Sequence, residues 1–171
     1  MTNRASIAVI GGSGLYKMPE ITDKTTIDIE TPYGKPSSPI VLGTLREKRV
    51  AFLARHGEGH ALNPTEVPYR ANIYALKSVG VRFIIAANAC GSLKQEYAPG
   101  HLAIPDQLYD NTKSERGGRT FFENGIVGHV SVADPFSPEL SQIILSSARQ
   151  RVPQATIHYG GTFIVIEGPR F

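Results

Sequence analysis

The sequence holds one cysteine, Cys90, and no tryptophan in 171 residues. A lone cysteine excludes an intrachain disulfide, so nothing here resembles a small secreted scaffold stapled by cross-links. No apolar run approaches the roughly 20 residues that cross a bilayer. Residues 1–4 lead into an apolar run too short for the core of a signal peptide. Together these absences predict a protein of the reducing cytoplasm with no membrane partner. A concentrated basic face is also missing. Eighteen lysines and arginines are scattered among fifteen acids, for a formal charge of +3, which argues against nucleic acid as a partner. Repeats, low-complexity tracts and domain linkers are likewise absent, and the expectation is a single domain over residues 1–171.

What is present is a soluble globular composition, 41% hydrophobic and 19% charged, long enough to bury a substantial core. Residues 6–10 read as a short strand closed by Gly11-Gly12-Ser13-Gly14. Residues 40–42 and 49–53 read as two more strands, joined as a hairpin across Arg46-Glu47-Lys48. Thr31-Pro32-Tyr33-Gly34-Lys35-Pro36 is turn chemistry. Between Pro68 and Val79 the pattern becomes helical, with Tyr69, Ile73 and Leu76 on one face and Gly80 at the stop. Residues 82–87 are almost all apolar, the mark of a strand covered on both faces. Ser137-Pro138-Glu139 opens a second helix, with the hydroxyl as N-cap and proline in the first turn. Leu140, Ile143 and Ile144 form its apolar side. Residues 162–166 complete the pattern as another buried strand. Helices alternating with buried strands predict an α/β layered fold.

Three turns that follow apolar strands carry the candidate chemistry. In Gly11-Gly12-Ser13-Gly14, glycines let backbone N–H groups approach an anion and Ser13 adds a hydroxyl. Taken alone, it fits an ordinary tight turn equally well. A dinucleotide fingerprint would need glycine where Lys17 stands, and the Gly-Lys-Ser/Thr of a P-loop is absent. In Ala54-Arg55-His56-Gly57, Arg55 presents a fork of donors suited to phosphate oxygens and His56 can add another. His56 otherwise reads as a satisfied strand-end histidine. His60 lies four residues on, but no cysteine or carboxylate at ligand spacing supports a metal there. The third turn is Asn88-Ala89-Cys90-Gly91-Ser92. Small residues at a strand's carboxyl end expose amides where α/β proteins collect ligands. Nothing in the sequence activates Cys90 as a thiolate, so a small buried packing residue is expected. Amides, a hydroxyl, an arginine and a histidine at three strand ends would together suit one phosphate.

At these same residues the chain resembles the purine nucleoside phosphorylase family, and most of all its S-methyl-5′-thioadenosine phosphorylase branch. The matching segments are Ile10-Gly11-Gly12-Ser13-Gly14-Leu15-Tyr16, Thr31-Pro32-Tyr33-Gly34-Lys35-Pro36-Ser37 and Leu53-Ala54-Arg55-His56-Gly57. Tyr69-Arg70-Ala71-Asn72-Ile73-Tyr74-Ala75-Leu76-Lys77, Asn88-Ala89-Cys90-Gly91-Ser92-Leu93 and Glu167-Gly168-Pro169-Arg170-Phe171 follow in order. The resemblance implies a mixed β-sheet, partly barrel-like and flanked by helices, in a homotrimer. It implies metal-free, cofactor-free chemistry, with inorganic phosphate as co-substrate. Phosphate attacks the anomeric carbon of a purine nucleoside and the base leaves. With methylthioadenosine the products are adenine and 5-methylthioribose 1-phosphate.

Carried over by position, the resemblance implies that Ser13, Arg55 and His56 bind phosphate, that Asn88 and Ala89 contact phosphate and ribose, and that Phe171 packs on the base. Asn88 departs from the methylthioadenosine branch, which often has a hydroxyl residue there. Asparagine is familiar from the 6-oxopurine branch, so a 6-oxopurine nucleoside or methylthioinosine is the alternative substrate. Family members also continue beyond the Glu-Gly-Pro segment, and the acid that assists the leaving purine lies past Phe171. A chain ending at residue 171 is therefore expected to be an incomplete domain with impaired catalysis, and a non-catalytic phosphate-binding or assembly module is the competing reading.

Overall fold

A computed structural model describes residues 4–12, 14–112 and 120–166. Its contacts divide these residues into two compact units. The first runs to residue 89 and takes in residues 120 and 121; the second holds residues 90–112 and 122–166.

The first unit is built on a five-stranded mixed sheet. In chain order the strands are β1 (Ile7–Gly11), β2 (Thr22–Ile27), β3 (Ile40–Leu45), β4 (Lys48–Ala54) and β5 (Phe83–Ala86), and the helix α1 (Tyr69–Ser78) lies between the last two. The spatial order is β2-β3-β4-β1-β5. β1 pairs in parallel with β4 on one side and β5 on the other, while β2, β3 and β4 run antiparallel. β2 and β5 are the two ends of this sheet. Among the described residues it stays open, so the partly barrel-like closure expected from the resemblance is not seen. The mixed sheet and its flanking helices are.

Period-two alternation explains why the sheet is buried on both faces. Ala8 of β1, Ile40 and Leu42 of β3, and Ala51 and Leu53 of β4 point to one side, where they meet Ala75, Leu76 and Val79. Ile7, Val9, Val41, Val50 and Phe52 point to the other, against Ile21, Leu15 and Met18. The β3–β4 hairpin turns through Arg46 and Glu47, both in the left-handed region (φ 45° and 63°), and Lys48 already pairs with Leu45. Positive φ at both central residues matches the twist of a two-residue hairpin.

Two expectations for this unit are corrected. The buried face of α1 is Ala71, Asn72, Ala75 and Leu76, whereas Tyr69 and Ile73 are exposed. Small side chains bring the helix backbone close to the sheet, and the large ones turn outward. β5 is not covered on both faces: Phe83 is 49% exposed, and among the described residues β5 is paired with β1 alone.

The second unit contains β6 (Leu102–Ile104), β7 (Gln107–Asn111), α2 (Pro138–Arg151), β8 (Ile157–Tyr159) and β9 (Thr162–Ile166). β6 pairs with β8 and β7 with β9, both in parallel. Such pairing requires a crossover, and α2 supplies it. Ser137 caps α2 as expected, its hydroxyl accepting from Leu140 N–H at 3.2 Å with Pro138 next. The buried side of α2 is Ser141 and Leu145, with Leu140 and Ile144 half-buried. Ile143, expected on that side, is 59% exposed. It lies a helical step off the Ser141–Leu145 line. Among the described residues no helix is long and apolar enough to cross a membrane.

Candidate functional site

Parallel pairing of β4, β1 and β5 sends their carboxyl ends to the same edge of the sheet. Gly11 registers with Ala54, and Ile10 with Ala86. Beyond the strands the ladder continues for one more bond on each side. Arg55 N–H donates to the Gly11 carbonyl at 3.0 Å, and Ala87 N–H to the Ile10 carbonyl at 2.9 Å. The Gly11-Gly12 turn therefore lies between Arg55-His56 and Asn88-Ala89. Two strand spacings, about 10 Å, separate the outer backbones. Both flanking turns can reach toward one small ligand seated over the middle strand. A Cβ on Gly11 would require the Leu15 side chain to move and would lie 3.4 Å from the Ala87 carbonyl. Ser13 itself lies outside the described residues.

The Arg55-His56 turn is held from several directions. Gly57 N–H donates back to the Ala54 carbonyl at 3.0 Å, closing a tight turn. Gly57 has φ 75°, and a Cβ there would meet the Ser37 carbonyl at 3.1 Å. His56 is bracketed by Leu62, whose N–H donates to the His56 carbonyl at 2.9 Å and whose carbonyl lies 2.9 Å from Nδ1. A carbonyl only accepts, so Nδ1 carries the proton. Nε2 is then an acceptor, and Arg55 Nε–H donates to it at 3.1 Å. The His60 ring stacks on His56 with centroids 4.4 Å apart and planes 22° from parallel. Face-to-face imidazoles do not aim two nitrogens at one point, as a metal would require. Among the described residues no group of three or more His, Cys, Asp or Glu is placed to hold a metal ion.

Sequence reasoning named the turn but missed what anchors it. Ser37 Oγ–H donates to the Ala54 carbonyl at 2.8 Å, with Asn72 Oδ1 3.1 Å away. Ser37 N–H donates to the same Oδ1 at 2.7 Å, which fixes the amide orientation of the buried Asn72. Ser38 Oγ accepts from Ala54 N–H at 3.1 Å and donates to the Pro39 carbonyl at 3.0 Å. Both backbone groups of the residue before Arg55 are therefore satisfied by serine hydroxyls. A pair of serines after a Pro-Gly turn and an asparagine inside a helix were the available signals. Asparagine is a poor interior helix residue unless its amide has work elsewhere.

The third turn is described in two parts. Asn88 and Ala89, in the first unit, are exposed just past β5. Cys90, in the second unit, is also exposed, which corrects the expected buried packing residue. It lies in a loop beyond the last ladder bond of β5, so no strand covers it. A shallow concavity lined by Arg4, Lys48, Arg49 and Gly80 lies at the opposite, amino-terminal ends of β1 and β4. There Arg49 is already engaged, donating to the Asp23 carbonyl at 2.6 Å.

Three parallel strand ends thus come together on one side of the sheet, one of them bearing Arg55 and His56. The phosphorylase superfamily profile matches residues 6–171. The chain belongs to the phosphorylase superfamily. It is 53% identical over 167 residues to the S-methyl-5′-thioadenosine phosphorylase of Chloroflexus aurantiacus, covering 98% of this chain and 57% of the relative. Against the same-named protein of Pyrococcus furiosus the identity is 48%, covering 96% and 62%. A methylthioadenosine phosphorylase from an antarctic soil metagenomic library superposes with a TM-score of 0.94 at 51% identity, covering 99% of this chain and 58% of that one. The Schistosoma mansoni methylthioadenosine phosphorylase, solved in complex with adenine, gives a TM-score of 0.86 at 33% identity, covering 98% and 67%. The chain thus spans less than two thirds of the length of the first three of these relatives. Phe171, matched to a base contact by resemblance, lies outside the described residues.

Proposed function

We propose that this chain carries the phosphate-binding part of an enzyme that cleaves S-methyl-5′-thioadenosine with inorganic phosphate. The observation that carries the reading is the convergence of three parallel strand ends, bearing Arg55-His56, Gly11-Gly12 and Asn88-Ala89, on one edge of the sheet. The names of the relatives support methylthioadenosine as the substrate.

In this reading Ser13, Arg55, Asn88 and Ala89 bind the phosphate, His56 joins them through its backbone N–H while its Nε2 holds Arg55, and Phe171 packs on the base. A phosphate oxygen attacks the anomeric carbon as the bond from that carbon to the purine nitrogen breaks. The bonding pair leaves with the base, which takes up a proton, giving adenine and 5-methylthioribose 1-phosphate. Arg55 and the strand-end amides orient the nucleophile and keep its negative charge beside the positive character that develops on the sugar. A general acid that gives the departing purine its proton completes the step. Phosphate is the co-substrate, and the chemistry asks for no metal or further cofactor. The two units together form one phosphorylase domain, which works in the cytoplasm as a homotrimer.

Asn88 favours one second reading, in which the base is a 6-oxopurine or the substrate methylthioinosine. Incubating the full-length protein with methylthioadenosine, inosine and methylthioinosine, with and without phosphate, separates the two. Adenine release that depends on phosphate is expected. Preferential release of hypoxanthine supports the second reading, and no phosphate-dependent release from any of the three contradicts both.

A further inference from the structure

We propose that Asn72 and Ser37 are positioning residues that set phosphate affinity by holding the Arg55-His56 turn, an inference that rests on the phosphate role assigned to that turn above. Asn72 sits on the sheet-facing side of α1, buried to 3% exposure. An amide there is costly unless its polar atoms are matched. Its Oδ1 takes the Ser37 N–H at 2.7 Å and lies 3.1 Å from the Ser37 hydroxyl. That hydroxyl is directed in turn to the Ala54 carbonyl at 2.8 Å. The Ala54 carbonyl also receives the Gly57 N–H that closes the turn. A relay of hydrogen bonds therefore runs from a rigid helix, through residue 37, to the peptide plane immediately before Arg55.

The segment carrying Ser37 is fastened at its other end as well. Thr31 and Gly34 exchange backbone hydrogen bonds at 3.2 and 3.0 Å, and Thr31 Oγ1–H donates to the Gly34 carbonyl at 2.6 Å. Tyr33 in the middle meets α1 again: its ring lies edge-on to Tyr74 with centroids 5.8 Å apart, and the Arg70 guanidinium lies 4.6 Å from the Tyr33 ring centre. Residues 31–38 thus form a strut, clamped to α1 through Tyr33 and Asn72, with the two serine hydroxyls at its tip. Ala51, Phe52 and Leu53 are packed by neighbouring strands and by α1. Losing the hydroxyl of Ser37 removes the tie between the Ala54 carbonyl and α1 and leaves it the local Gly57 N–H, so the turn can tilt while the ladder persists, and the tilt passes directly to the Arg55 and His56 side chains.

The test uses the full-length protein and separates the Michaelis constants of the two substrates. Ser37 is only half-buried, so Ser37→Ala should fold with little change in melting temperature. Misplacing a clamp by a fraction of an ångström is expected to raise KM for phosphate about tenfold while KM for the nucleoside changes less than about twofold. Ser37→Thr keeps a hydroxyl and should restore most of the phosphate affinity. Asn72→Ala should show the same split, more strongly, with lower stability. Equal changes in both Michaelis constants, a fall in melting temperature with phosphate KM untouched, or failure of Ser37→Thr to rescue would each overturn the proposal. If the wild-type protein releases no base in a phosphate-dependent way, the functional reading itself falls, an outcome distinct from a wild type that works and a Ser37→Ala variant that matches it.

Discussion

Arg55 Nε–H is donated to His56 Nε2 at 3.1 Å. That contact keeps the guanidinium beside the strand-end turn and leaves its terminal nitrogens as the fork an oxyanion would meet. Charge-assisted hydrogen bonds contribute about 1.5–3 kcal/mol each, and about 1.4 kcal/mol is a factor of ten. Arg55→Ala is therefore expected to raise KM for phosphate by about 10- to 100-fold and to leave nucleoside affinity close to wild type. Steady-state kinetics with each substrate varied in turn checks this, and an unchanged phosphate dependence removes Arg55 from the site. Gly57 offers a second test. Its φ of 75° with ψ 175° and the Ser37 carbonyl 3.1 Å from any added Cβ make Gly57→Ala strained by about 1–3 kcal/mol. Denaturant unfolding should show that loss, and phosphate affinity should fall with it because the turn is the same one.

At the scale of elements, strands with alternating or continuous apolar residues were readable from sequence: β1, β3, β4, β5 and β9 lie within a residue or two of their expected places, β3 running further toward its hairpin. The less legible strands have physical reasons. β2 reads Thr-Asp-Lys-Thr-Thr-Ile, an edge strand whose polarity looks like a loop until β3 pairs with it. β6 and β8 are three residues each, too short to show a period. α1 was legible in extent and α2 at its start, while the facing of each was read only in part. Size misled the reading of α1, whose buried side is Ala71, Asn72, Ala75 and Leu76, because close packing on a sheet favours small residues over Tyr69 and Ile73. Leu76 is fully buried in that interface, and Leu76→Ala should cost about 2–5 kcal/mol of stability through transfer and cavity terms, measurable as a shifted denaturation midpoint.

The start of α2 gives a prediction with a pH signature. Ser137→Ala removes the N-cap acceptor for Leu140 N–H and should lower stability by about 1 kcal/mol. Glu139 is held below its ordinary carboxylate value of 4.5 by its own backbone N–H and then by the Ser137 hydroxyl. A depressed folded-state value means that the carboxylate stabilises the fold above the unfolded-state value. That contribution is lost as pH falls through the lower folded-state value. The Ser137→Ala variant should therefore lose less stability than wild type on acidification below about pH 4.5. Parallel acid dependence in the two proteins would contradict the assignment.

For the molecule as a whole, the candidate site was legible as turn chemistry and not as geometry. Arg55, His56, Asn88 and Ala89 could be named because glycine, basic and small residues follow apolar runs. That they share an edge depends on β1 lying between β4 and β5 in parallel, a pairing between segments tens of residues apart that local pattern does not encode. The anchoring by Ser37, Ser38 and Asn72 was hidden for the same reason: residues 37 and 72 meet only after α1 docks. The cysteine expectation failed because the lack of an activating neighbour says nothing about cover, and Cys90, in the loop beyond β5, is exposed.

The most direct measurement is a crystal structure of the full-length protein with inorganic phosphate. One phosphate is expected over the carboxyl end of β1, with Arg55 turned onto it from one side and the Asn88-Ala89 turn contacting it from the other. Phosphate bound away from that edge, with Arg55 still donating to His56 and taking no part, would contradict that placement.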